Sequence, residues 1–453
     1  MRVTQDRPRF LEKELKSRLV SAEATAMIRE QVLKKVSRRI LPFFFALYII
    51  AYLDRANVAF AKLDMVAELG FSEEVFGFGA GVFFVGYFLL EIPGALMVER
   101  WSARLWLARI LITWGLITVL TGFVKTASQF YMARFLLGLA EASFFPGLIV
   151  YVTHWFPLRD RARAMAGLIS AVPVSFAVGA PASALILRIH WLSLSGWRWV
   201  FILEGLPAII FGLITIFYLT DRPSQARWLS TEERDWLTTE LERERQEKRA
   251  RGPVTIWRAF FQRNVLLLSV MLFLVVIASY GYLFWLPTNI QKASGYSAVK
   301  STAFSAVPFV LSVVAVRYMG KSSDCHRERR LHTGIPLLLG GVFLGMTAVA
   351  GQAFSLTMLW LSLTGMMLWA WAPSFWVLPT LTLGESAAAA SIGLINSVGN
   401  LGGFFGPWIV GALLSRGHSY SLVISFLCAA FVCAALLTLA IRTPAAGEGS
   451  AVG

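Results

Sequence analysis

The chain has 453 residues, of which 57% are hydrophobic and only 15% charged, and its formal net charge is +15. About a quarter of a soluble protein's residues are charged, so the composition excludes an ordinary soluble domain, and three cysteines exclude a disulfide framework.

In chain order, a basic segment (residues 1–39) comes first, its REQVLKKVSRRILP running into the first apolar run. It suits either an amphipathic helix on an anionic membrane face or a solvated tail, and it is too polar for a cleavable signal peptide. A spanning helix needs about 20 mostly apolar residues. Twelve such runs follow, at 38–60, 75–98, 104–123, 128–152, 162–187, 198–219, 264–288, 298–319, 331–351, 354–378, 386–414 and 419–441. The alternating pattern of a membrane β-barrel is not seen. Between the sixth and seventh runs, TEERDWLTTELERERQEKRARGP carries Glu–Arg pairs at helical spacing and reads as a surface helix joining two halves. The expected division is a cytoplasmic segment at 1–37, a six-helix bundle at 38–219, a cytoplasmic linker at 220–263, a second bundle at 264–441 and a cytoplasmic tail at 442–453.

The positive charge is topological. Of 42 Lys and Arg residues, 33 lie toward the side of the termini and 7 toward the other: Lys62, Lys125, Arg188, Arg198, Lys292, Lys300 and Arg416. Basic residues collect in cytoplasmic loops, so both termini are expected in the cytoplasm. No nucleic-acid partner is expected. The halves also repeat faintly: GLISAVPVSFAVGAP (167–181) laid on GLINSVGNLGGFFGP (393–407), an offset of 226, matches at five of fifteen positions. Repeated halves suit carriers that alternate about a midplane site. Glycines in the second and eleventh runs suit close helix approach.

Six charges lie deep in the hydrophobic belt of the runs: Asp54, Arg55, Glu91, Arg134, Glu141 and Glu204. An ionised side chain near the bilayer centre costs several kcal/mol on insertion scales (~3 kcal/mol), so such residues mark function. Tyr48, Tyr52 and Arg55 share a face of the first helix at i, i+4 and i+7, while Asp54 points about 100° away. Arg134 and Glu141, seven apart in RFLLGLAE, share a face, and Tyr87 and Glu91 are four apart. A buried Arg offers a flat fork of donors to a substrate carboxylate, and a desolvated Asp or Glu exchanges protons near neutral pH. The set reads as an anion pocket with a proton relay; two helix-joining salt bridges are the structural alternative. Glu204 reads as an interfacial partner for Arg198. In the second half, Asp54 maps on Tyr280, Arg55 on Gly281 and Glu141 on Met367. That half offers Tyr280, Trp285, Asn396 and Asn400 as candidate substrate contacts, with Tyr282, Trp369, Trp371, Phe375 and Trp376 also at hand; for each aromatic, packing in the core or against lipid is the alternative.

Five stretches, YLDRANVAFA, RFLLGLAEASFFPG, HWFPLRDRARA, WRWVFILEGLPA and YLFWLPTNI, together resemble the major facilitator superfamily and, within it, the anion:cation symporters of organic anions, with tartrate, phthalate and hydroxyphenylacetate permeases nearest. The resemblance covers nearly the whole chain. It implies an all-α membrane protein of twelve transmembrane helices in two pseudo-symmetric six-helix bundles. It implies that Arg55 holds the substrate carboxylate, that Asp54 and Glu141 carry protons, and that Arg134 couples these to conformational change. Tyr48, Tyr52, Tyr87 and one of Asn396 and Asn400 are implied near substrate. The loop after span two departs from the superfamily pattern, with Glu99 where an Asp is usual; Glu99, Arg100 and Arg104 are expected to form inner-gate contacts with the loop of Asp324.

The expected function is proton-coupled import of a small organic carboxylate by alternating access, by a monomer in the bacterial inner membrane, with protons and the lipid bilayer as partners and no cofactor. A drug, metabolite or organophosphate exporter or antiporter is the alternative. The absence of an Arg deep in the second half's spans disfavours an organophosphate antiporter. An enzyme is not expected: none of the five histidines pairs at metal-ligand spacing within a span, and no complete G-x-x-x-x-G-K-[ST] phosphate loop occurs.

Overall fold

The computed structural model describes residues 7–250, 261–349, 353–382 and 385–441. Within them the chain is helical, with no strand among the described residues. Eleven helices are long and apolar enough to cross a membrane, and Ala171–Ile186 is a shorter apolar one. A backbone in hydrocarbon must satisfy its own hydrogen bonds, and several helices start where a side chain caps the first turn. Ser72 Oγ accepts from Val75 N, Ser102 Oγ from Leu105 N, Thr126 Oγ1 from Gln129 N and Ser419 Oγ from Leu422 N.

Counted as spans, the first is the long helix Arg7–Leu69, the second Glu73–Arg100, the third Ala103–Thr121 and the sixth Gly196–Tyr218. The fourth is broken into Ala127–Glu141 and Phe144–Thr153, and the fifth into Leu158–Ile169 and Ala171–Ile186. The seventh is Arg263–Ser294, the ninth Arg330–Val349 and the twelfth Tyr420–Ala440. The eighth (Ala298–Phe304, Ala306–His326), tenth (Phe354–Leu368, Ala372–Phe375, Leu378–Thr382) and eleventh (Glu385–Asn400, Gly402–Ser415) are again segmented. These correspond to the twelve runs of the sequence. The first helix overruns its expected end at residue 60 by nine residues, because VAFAKLDMVAEL continues in helix. The polar helix between the halves is Thr231–Ala250, shorter than the polar stretch that contains it.

Packing repeats between the halves. In the first, spans one and five, two and four, and three and six are neighbours; in the second, seven and eleven, eight and ten, and nine and twelve are. The halves meet along spans two and eleven, five and eight, and one and seven. At the end away from the linker this seam is tight. Glu74 N donates to Ser415 Oγ at 2.8 Å, and the Phe176 and Phe309 rings lie 5.0 Å apart. Gly77 backs directly onto the Pro407 carbonyl, where a Cβ would collide with backbone. At the linker end each half keeps to itself. Arg29 pairs with Asp160 and Arg161 with Glu244, each at 3.0 Å, and Lys35 pairs with Glu233, which docks the linker helix on the first half. No hydrogen bond or ion pair among the described residues joins the linker ends of the two halves. The far end is therefore shut; between the centre and the linker end, Glu91 joins the halves through Asn396 and Ser397.

Gly77→Ala forces the second and eleventh spans apart, at a cost of about 1–3 kcal/mol to the far-closed state. Spin labels placed on the far ends of these spans should report a longer distance in Gly77→Ala. Gly393→Ala, at an open position with nothing within 4 Å, should leave it unchanged. Equal distances in both variants would show that this contact does not hold the far end shut.

Candidate functional site

The deepest charges converge where spans one, two, four, seven and eleven meet. Arg55 donates through Nε to Glu141 Oε1 at 2.7 Å, and its Nη2 pairs with the same oxygen. Glu141 is fully buried and Arg55 is 9% exposed. The helical repeat places Arg55 here beside Tyr48 and Tyr52, whose rings lie 5.2 Å apart. Tyr52, Tyr87 and Phe83 surround the guanidinium with ring centroids at 5.2, 5.0 and 5.6 Å, good positions for cation–π attraction in a dry site. Tyr280 of the second half also acts electrostatically on Arg55 and packs on Phe84 at 4.6 Å. Across the seam Tyr52 meets Trp369 edge-on at 6.2 Å. The site thus has a wall from each half.

The fourth span breaks immediately after Glu141. Ser143 takes a left-handed backbone, φ 73°, and its hydroxyl donates to the Leu90 carbonyl at 3.0 Å. A serine in that region is strained, and such strain gathers at functional positions. Asp54 turns away from its neighbour into the first bundle, where Asn57 Nδ2 donates to its Oδ1 at 3.0 Å. Arg134 is buried over the Phe83 ring at 5.1 Å, and its charge acts on both Asp54 and Glu141. Asp54 Oδ2, Glu141 Oε2, and Nε and Nη1 of Arg134 are buried without a hydrogen-bond partner among the described residues. Two acids and two guanidinium groups therefore share one low-dielectric region with fewer hydrogen bonds than their ionised forms call for.

Of the remaining sequence candidates, Asn396 belongs to this region. Its Nδ2 donates to Glu91 across the seam, and Ser397 Oγ donates to the other Glu91 oxygen at 2.7 Å. Asn400, one turn on, is half-buried at the end of its helix segment. Trp285 stands apart, five residues beyond Tyr280. It donates to Glu73 Oε2 at 2.8 Å at the far end, instead of lining the Arg55 wall. Arg104 is held in its own half, its backbone N–H on Asp221 Oδ1 at 2.9 Å, and Asp324 pairs with Arg329 of its own loop at 2.6 Å. The side chains of Glu99 and Arg100 lie outside the described residues.

Two charges differ from the sequence reading. Lys62 is not a loop residue: it is 1% exposed, paired with Glu73 at 2.8 Å, with its ammonium over Trp285 at 4.1 Å and Phe76 at 4.9 Å. Its seven-residue spacing from Arg55, the same face two turns on, was the available signal. Glu204 does not partner Arg198. Six residues of helix separate them by about 240°, so Arg198 binds Glu68 at 3.0 Å and the Gly122 and Val124 carbonyls, while Glu204 accepts from Ser183 inside the bundle.

Two six-helix bundles closed around a charged centre define a multi-pass membrane transport protein. The chain belongs to the Major Facilitator Superfamily, which its residues 44–407 match. It is 40% identical to an Agrobacterium vitis protein named "Putative tartrate transporter", over 94% of this chain and 98% of that one. It is 35% identical to the "Quinolone resistance transporter" of Acinetobacter baumannii, over 85% of this chain and 88% of that one. Its fold is similar to that of a crystallised bacterial homologue of the human lysosomal transporter Spinster in an inward-facing, unoccupied conformation. The TM-score is 0.69 at 15% identity, over 90% of this chain and 95% of that one.

The Lys62–Trp285 contact joins the two halves, so it is measurable as a coupling. In a double-mutant cycle of Lys62→Met and Trp285→Leu, thermal unfolding in detergent should show non-additivity of about 1 kcal/mol, within the range of desolvated cation–π pairs. Strict additivity would mean that the two side chains are neighbours without coupling.

Proposed function

We propose that the protein is a proton-coupled symporter that imports a small organic carboxylate by alternating access across the bacterial inner membrane, as a monomer with both termini in the cytoplasm. The observation that carries this reading is the fully buried Arg55–Glu141 pair. Arg55 is a carboxylate-binding fork whose present ligand is the protein's own carboxylate. A substrate carboxylate that takes Arg55 leaves Glu141 without its counter-ion, and a buried carboxylate without a counter-ion favours its neutral form. Substrate and proton therefore bind together, which is the logic of symport. Asp54, with a single hydrogen bond from Asn57, serves as the second proton carrier, and Arg134 links the two acids. Tyr48, Tyr52, Tyr87 and Tyr280 shape the pocket around the ligand, and Asn396 serves its other end.

The relative named for tartrate supports a carboxylate substrate, and the excess of basic residues on the linker side supports the orientation. With the far end shut, the centre is closed to the outside. Glu99, Arg100, Arg104 and the Asp324 loop then act as the inner gate, meeting when the far end opens.

The reading is tested in proteoliposomes loaded with a pH-sensitive dye and challenged with tartrate, phthalate, hydroxyphenylacetate, sugar acids and cationic drugs. One carboxylate should acidify the lumen, Arg55→Ala should abolish both binding and flux, and Glu141→Gln should lose net proton-driven uptake while keeping exchange. Silence toward every carboxylate with a response to cations would make the protein an exporter, the direction suggested by the name of the quinolone-resistance relative.

A further inference from the structure

Glu91 has no part in the scheme above, yet it is 3% exposed in the middle of the membrane. It lies one turn past Tyr87, on the linker side of Arg55. Both of its oxygens accept hydrogen bonds from the other half: Oε1 from Asn396 Nδ2, and Oε2 from Ser397 Oγ at 2.7 Å. Both contacts use the Glu91 carboxyl as acceptor, the role a substrate carboxylate would take. No cation forms an ion pair with it among the described residues; the charge that reaches it is that of Arg55. An amide and a hydroxyl on a glycine-rich helix are donors for any small anionic or polar group, and here they hold a carboxylate.

The arrangement repeats at Arg55. Each half presents one donor set to the centre, Arg55 on the first and Asn396 with Ser397 on the second. Each set is occupied by a carboxylate of the first half, Glu141 and Glu91. We infer that Glu91 is a specificity-determining residue, a resident stand-in for the far end of a two-ended substrate. A small dicarboxylate exchanges one end for Glu141 at Arg55 and the other for Glu91 at Asn396 and Ser397. A monocarboxylate reaches Arg55 alone and leaves Glu91 in place, so it gains nothing from the second half. The inference rests on the reading of Arg55 as the carboxylate anchor and adds the length and second end of the ligand.

Removal of a resident competitor tightens binding of the ligand it competes with and of no other. Full-length protein in lipid nanodiscs is titrated calorimetrically with two pairs of probes, tartrate against glycerate and phthalate against benzoate. Glu91→Ala should tighten the dicarboxylate of a pair about tenfold, the scale of a hydrogen bond to a charged group, and leave its monoacid unchanged. Glu91→Gln, which keeps the shape and one acceptor, should tighten it less, in the same direction. Asn396→Ala should erase the advantage of the dicarboxylate over the monoacid. A dicarboxylate-to-monoacid ratio that stays constant in both Glu91 variants, or that falls, overturns the inference and leaves Glu91 a helix-joining acid. Failure of wild-type protein to bind either dicarboxylate overturns it as well. Arg55→Ala separates the two levels. If both acids still bind that variant, the anchor itself is wrong; if neither binds and the Glu91 variants leave the ratio unmoved, only the role of Glu91 is wrong.

Discussion

The organising constraint of this molecule is that Arg55 is a permanent cation in a region where an unpaired charge is intolerable. A guanidinium does not lose its proton in a protein, so it must always hold an anion. In the present conformation that anion is Glu141. Everything around the pair follows from this demand. Aromatic rings on three sides offer the cation polarisable faces, and the helix that carries Glu141 ends at the next residue. Removing one member of a buried pair costs about 3–5 kcal/mol. Exchange of Glu141 for another carboxylate is therefore the low-cost route to freeing it.

The same demand explains why buried acids outnumber buried bases at the midplane. Asp54, Glu91 and Glu141 surround Arg55 and Arg134: Asp54 and Glu141 are bonded by Asn57 and Arg55 of the first span, and Glu91 by the eleventh span. Acids that switch between charged and neutral forms absorb changes of charge when a ligand enters; bases of this kind do not. The second half contributes hydroxyls, amides and rings but no deep cation among the described residues, so its affinity for the ligand is directional and weaker. On the proposed function, that asymmetry assigns the anchoring of the carboxylate to the first bundle and its discrimination to the second.

Much of this was legible in the sequence because membrane burial makes charge conspicuous. Arg55, Asp54, Glu141 and Arg134 stand out in apolar runs, and helical spacing assigns their faces correctly: Asp54 does point away from Arg55, and Tyr52 does accompany it. The twelve runs became twelve spans because length and hydropathy decide that outcome almost alone. What spacing does not supply is the partner across the seam. Glu91 was visible as a charge, but its donors, Asn396 and Ser397, are some three hundred residues away along the chain, and no periodicity within one helix points to them. Lys62 was lost because a lysine near a span end resembles an interfacial residue until its helix continues past it. Trp285 was placed with Tyr280 since both lie on span seven, yet five residues carry it about 7 Å along the axis, from the central wall to the far seam.

That last displacement bears on how the centre and the far closure communicate. Span one carries Arg55 and, two turns along the same face, Lys62; span seven carries Tyr280 and, five residues on, Trp285. Arg55 faces Tyr280, and Lys62 faces Trp285. The two helices are the pseudo-symmetric first members of the two halves, so they meet at the axis about which the bundles rock. A rigid helix transmits rotation along its length, and a change of ligand at Arg55 that tilts span one against span seven must disturb the Lys62–Glu73–Trp285 contact at the far end. The central ion pair and the far latch are therefore two readings of one relative orientation. On the proposed alternating-access function, their shared geometry connects the identity of the anion at Arg55 to the side on which the protein is open.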